Sequence, residues 1–176
     1  MLSRRRLWAS LFVVGLCATV ARSANDLSVA YYLKDPQVHY FRLTEERLQA
    51  FDKISCRIYS LKPSDPIVKA LSKSPPPKAP IGRLVEILEA TPLKPVVESN
   101  GLTVHDWLIF EIVLKVTQSA YPYYVQTRRF PSAATTLENM TFYIQHKPEI
   151  DKMETVWAKL LRQQMQDAQP PAPAPK

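Results

Sequence analysis

The stretch "LTVHDWLIFE", Leu102–Glu111, decides how the chain is read. It sets a histidine, an aspartate and a glutamate beside a tryptophan, which is either a reactive constellation or the start of a helix. The spacing favours the helix. Thr103 suits an N-cap, Asp106 three residues on completes a capping box, and Leu102 can staple onto Trp107 across the first turn. From Val104 to about Ala120 the chain is apolar almost all round, as a central, surrounded helix is. Glu111 sits one turn into it. Its carboxylate either reaches out through a surface gap or is buried with a partner, for which Arg128, Arg129 or a histidine are the candidates.

The same device opens "LTEERLQAFDKISCRIY". Thr44 caps, Glu45 and Glu46 suit the positive end of the helix, and Leu43 staples onto Leu48. Leu48, Phe51, Ile54, Ser55 and Ile58 recur at helical spacing, so the helix runs to about Ser60. Asp65-Pro66 starts a short helix, "SPPPKAP" (74–80) makes a stiff surface connection, and "IGRLVEILEA" resumes with Ile81, Leu84, Val85 and Leu88 on one face. Thr91-Pro92 opens a further segment that stops at Gly101, placed as a left-handed C-cap. Pro122 and Pro131 bracket an aromatic, arginine-bearing stretch. A helix then follows with Leu137, Met140, Thr141 and Ile144 on its stripe, and Pro148 opens a last helix with Ile150, Met153, Val156, Trp157, Leu160 and Leu161 inward. Sustained two-residue alternation is absent, so the expectation is an all-α bundle of five to seven helices.

The boundaries follow from composition. Arg4–Arg6, the apolar run Leu7–Val20 and the small residues Ala21 and Ser23 predict a secretory signal peptide over residues 1–23, with export to the periplasm or the extracellular space. Residues 24–42 read as an extended N-terminal arm, 43–166 as the helical domain, and the Pro/Ala-rich 167–176 as a disordered tail. The precursor carries +7. Losing residues 1–23 removes four arginines and no acid, leaving 19 basic against 16 acidic residues. That modest excess is poor evidence for a nucleic-acid partner, and none is expected. The mature chain keeps one cysteine, Cys56, too few for an internal bridge. Its glycines are Gly82 and Gly101 alone, which excludes phosphate-cradling loops and dinucleotide fingerprints.

Three pieces, "VHYFRLTEERLQAFDKI", "GLTVHDWLIF" and "ENMTFYIQHKPEIDKM", resemble in content and order a group of small exported bacterial proteins of no assigned activity. The resemblance implies a helical envelope protein and brings no catalytic residue. It draws attention to Asn139, His146 and Glu149 as polar positions in the last piece.

Chemical motifs are sparse. His39, His105 and His146 are unpaired at metal-ligand spacing, Pro148 separates His146 from Glu149, and no catalytic or cofactor residues are assigned. Asn139-Met140-Thr141 matches a glycosylation acceptor, but on a predicted helix. The binding candidate is Tyr121–Phe130, with Tyr121, Tyr123, Tyr124, Arg128 and Arg129, because tyrosine and arginine dominate interface hot spots. The chain thus reads as an exported binding or interaction module for a protein or a small apolar or anionic ligand, with no membrane span once the leader is cut. Two alternatives stand beside it: an enzyme centred on Glu111, and a structural protein holding anionic envelope polymers through Arg128 and Arg129.

Overall fold

A computed structural model describes Tyr32 and residues 35–72, 79–129 and 136–168. The expected leader, most of the 74–80 connection, Phe130 and the tail from 169 onward lie outside the described residues. Among the described residues the protein is all-α, with no strand: α1 (Pro36–Tyr40), α2 (Glu45–Tyr59), α3 (Pro66–Leu71), α4 (Ile81–Glu89), α5 (Leu93–Glu98), α6 (Val104–Thr127) and α7 (Leu137–Asp167).

Local chemistry sets the starts. Thr44 Oγ1 accepts from Arg47 N at 3.3 Å and Thr103 Oγ1 from Asp106 N at 3.0 Å. The Thr103 half of the expected capping box is therefore formed, while the Asp106 carboxylate lies 3.4 Å from His105 Nδ1. Asp65 accepts from Ile67 N at 2.8 Å with Pro66 in the first turn. Gly101 adopts φ +87° and ends α5 in the left-handed conformation expected of it.

Residues 24–42 are not wholly extended. Asp35 accepts from Gln37 N at 2.9 Å and starts α1, which buries Val38. The physical reason is the one that starts α3: Asp35-Pro36-Gln37-Val38 repeats the Asp-Pro-x-Val of residues 65–68, a side-chain cap followed by a proline whose missing N–H costs nothing there.

Both internal prolines were expected to bound helices, and neither does. Pro122 lies inside α6 and Pro148 inside α7. A mid-helix proline removes one backbone bond and crowds the preceding turn, a cost of about 3 kcal/mol that tertiary packing must offset. Buried residues flank each site: Ala120 before Pro122, Tyr143 and Ile150 around Pro148. Because α7 is one helix, its inner face differs from the expected stripes. Asn139, Met140, Tyr143, Ile150, Trp157 and Gln164 are buried, whereas Leu137, Ile144 and Val156 are exposed.

The helices α2 and α7 run in the same direction. Asn139 meets the backbone at Phe41 and Leu43, Trp157 meets Asp52, and Gln164 meets Ile58 and Leu61, so contacts climb together along both helices. Against α7, α6 runs oppositely, with Tyr121 beside Tyr143 and Lys115 beside Glu154. Phe51 stands where the three meet, its ring 6.3 Å from Trp107, 5.0 Å from Phe110 and 5.6 Å from Trp157. Aromatic pairs of this kind contribute about 0.5–1.5 kcal/mol each beyond their buried area. Among the described residues no helix is long and apolar enough to cross a membrane.

Candidate functional site

The second half of α6 builds the candidate site as it leaves the bundle. The helix is buried up to Ala120 and then emerges, with Pro122, Tyr123, Val125, Gln126 and Thr127 exposed. Tyr123 is 44 % and Val125 45 % exposed, unusual for large apolar side chains on a well-packed helix. Arg128 caps the helix in the left-handed conformation, φ 56°, and its N–H donates to Tyr124 O at 2.8 Å. Its guanidinium lies 5.7 Å from the centre of the Tyr124 ring. Arg129 N donates to Thr127 Oγ1 at 3.1 Å, which turns the chain at the helix end. A left-handed non-glycine residue costs about 1–2 kcal/mol. No acid occurs from Tyr121 through Arg129.

Tyr121 belongs to a different environment. It is half-buried, edge-on to Tyr143 at 5.3 Å, with Lys147 Nζ 6.0 Å from its ring centre. Along the same seam Lys147 donates to Asp151 at 2.6 Å, and both Lys115 and Gln118 donate to Glu154 Oε1, at 2.9 and 2.8 Å. Burial is the main reason the Tyr143 phenol is held above the usual tyrosine range; the Lys147 ammonium lowers it, only in part. The hydrogen bond to Asp151 raises Lys147.

Glu111 is buried, 6 % exposed, which settles its orientation inward. It shares a helical face with Lys115 and Gln118, one and two turns on. Arg128 and Arg129 stand about 25 Å further along the axis at 1.5 Å per residue, so neither can be its partner.

Asn139 is a structural clamp. It is 2 % exposed; its Oδ1 accepts from Leu43 N and its Nδ2 donates to Phe41 O, both at 2.9 Å. The glycosylation motif it begins is therefore closed in the folded chain. His146 and Glu149 do share a helical face, because α7 runs through Pro148. Their side chains approach to 3.2 Å, and the His146 ring stacks on Phe142 at 4.3 Å. They lie on α7 with Lys147 between them, apart from the exposed end of α6.

Two polar roles were not foreseen from the sequence, those of Gln164 and of the Trp157 indole N–H. Gln164 Nε2 donates to Ile58 O at 3.1 Å and Leu61 O at 2.7 Å, capping the end of α2. Trp157 Nε1 donates to Asp52 Oδ1 at 2.7 Å. The signal that could have found them is the spacing of Tyr143, Lys147, Ile150, Glu154, Trp157, Leu161 and Gln164, which alternate by four and three on one face. Cys56 is half-buried on α2, 3.5 Å from Asp52; burial first, then the Asp52 charge, raises its thiol pKa.

A groove of about 330 Å³ lies elsewhere, between α2 and the start of α6, lined in part by Glu46, Arg47, Lys53, Asn100, Gly101 and Asp106. Its charges are mixed, and it contains none of the candidate binding residues expected from the sequence. Among the described residues no group of three or more His, Cys, Asp or Glu is placed to hold a metal. Geometrically, then, Tyr123, Tyr124, Arg128 and Arg129 come together at the end of α6, Tyr121, Glu111 and Asn139 belong to the packed bundle, and His146 and Glu149 pair along α7. Comparison with protein-family models, curated proteins and solved structures found no match.

Proposed function

We propose that the chain is an exported binding module of the bacterial envelope, engaging its partner through the projecting end of α6. The observation that carries this reading is the exposure of Tyr123 and Val125 on a helix end that bears two arginines and no acid. Tyrosine and arginine supply contact area and hydrogen bonding together, and a helix end already shaped by its own hydrogen bonds loses little freedom on binding. The enzymatic alternative around Glu111 draws support from its burial, although the groove between α2 and the start of α6 is lined by other residues.

A photoreactive amino acid at position 123, with another at Glu89 on α4 as control, tests the reading in the producing cell. The expected result is an adduct at position 123 and none at position 89. Equal labelling at the two positions, or no adduct at position 123, contradicts it.

A further inference from the structure

We infer that the partner of this helix end is an anionic lipid bilayer, met at the level of its head groups. The inference rests on the binding reading above and names the partner. Tyr123 and Val125 at the end of α6, and Leu137 and Ile144 at the start of α7, are exposed by 44, 45, 59 and 41 %. The Tyr121–Tyr143 ring contact holds these two segments side by side. Leu137 and Ile144 are seven residues apart, so they share one face of α7. Four of the seven large apolar side chains that are exposed among the described residues therefore lie on these two neighbouring segments.

The charges at this end are net positive. Arg128 and Arg129 have no acid among the eight residues before them, and Glu138 is the single acid of the sequence from Tyr121 to Ile144. Cations beside exposed tyrosine and aliphatic groups match the bilayer boundary: phosphate outside, hydrocarbon below, and the amphipathic tyrosine ring between. An acidic protein surface could answer the arginines too, and the test separates the two.

The exported protein recovered from its producing cells is sedimented with phosphatidylcholine vesicles, with and without phosphatidylglycerol. Binding is expected only where phosphatidylglycerol is present, and it weakens with salt. The variant Arg128→Gly with Arg129→Ala removes both charges; glycine accepts the left-handed conformation at position 128, so the helix end is not weakened. It is expected to bind about 25-fold more weakly, at about fivefold per arginine. Tyr123→Ser with Val125→Ser is expected to abolish the binding that persists at high salt. Every variant keeps the same N-terminus as the wild type, so a contribution from that segment cancels in the comparison. Equal binding to both vesicle types, or binding unchanged in both variants, overturns the inference. If neither vesicle binds while position 123 still labels a protein, the lipid inference falls and the binding module stands. If both tests are blank, both fall.

Discussion

Asn139 shows what one buried amide does for this chain. It satisfies a donor at Leu43 and an acceptor at Phe41, holding the segment between α1 and α2 against α7. Asn139→Ala leaves both backbone groups buried and unanswered, at about 1–3 kcal/mol each. The expected outcome is a fall in unfolding free energy of about 2–6 kcal/mol, read from the denaturant midpoint; a midpoint within error of wild type would contradict the clamp. Tyr143 gives a pH prediction. Its folded pKa lies above its unfolded value of about 10. Its contribution is therefore complete below pH about 10 and is lost as pH rises through the folded pKa. Lys147, also raised, loses its contribution in the same direction. Tyr143→Phe should flatten part of the alkaline decline in stability, and an unchanged alkaline limb would contradict the burial argument. From sequence, Asn139 was visible as a polar residue on a helix, but not its inward direction, because its partners are backbone groups 96 and 98 residues away.

At the scale of elements, the caps were legible and the prolines were not. Thr44, Asp65 and Thr103 start helices because each offers a side-chain oxygen to an amide two or three residues on, a purely local arrangement. Asp35 offers the same signal and was masked by the mixed pattern around it. Pro122 and Pro148 carry an equally local signal for a boundary, and both helices override it: Tyr143 and Ile150 hold the core on the two sides of Pro148, whereas α6 is anchored only before Pro122, at Ala120. That override has a measurable cost. Pro122→Ala or Pro148→Ala restores the N–H that can bond to Gln118 O or Ile144 O, while losing the stiffness proline gives the unfolded chain. Each is expected to raise unfolding free energy by about 1–2 kcal/mol in thermal or chemical melts. A loss of stability would mean that the packing requires the proline rings at these positions.

At the scale of the molecule, the all-α class and the central place of α6 followed from periodicity and from the apolar run after Thr103. The parallel pairing of α2 with α7 did not, because it depends on contacts spanning about a hundred residues that no local pattern encodes. Phe51 is its keystone, touching aromatic rings from α6 and α7 together. Phe51→Ala should cost about 3–5 kcal/mol, a large share of the stability of a domain this size, so the purified variant should melt far below wild type. A melting temperature within a few degrees of wild type would show that the three-helix junction is held by other contacts. The candidate site was legible as composition, Tyr121–Phe130, and was divided only by the structure: Tyr121 turned inward to Tyr143, whereas Tyr123 stayed exposed.

The central claim is that binding occurs at the end of α6 and that the polar residues of the seams hold the bundle together. Amide hydrogen exchange of the protein, with and without membranes from its producing cell, tests this most directly. The account predicts added protection at residues 122–129, with 104–120 unchanged. Added protection around the groove at residues 46–53 and 100–106, with none at 122–129, would contradict it.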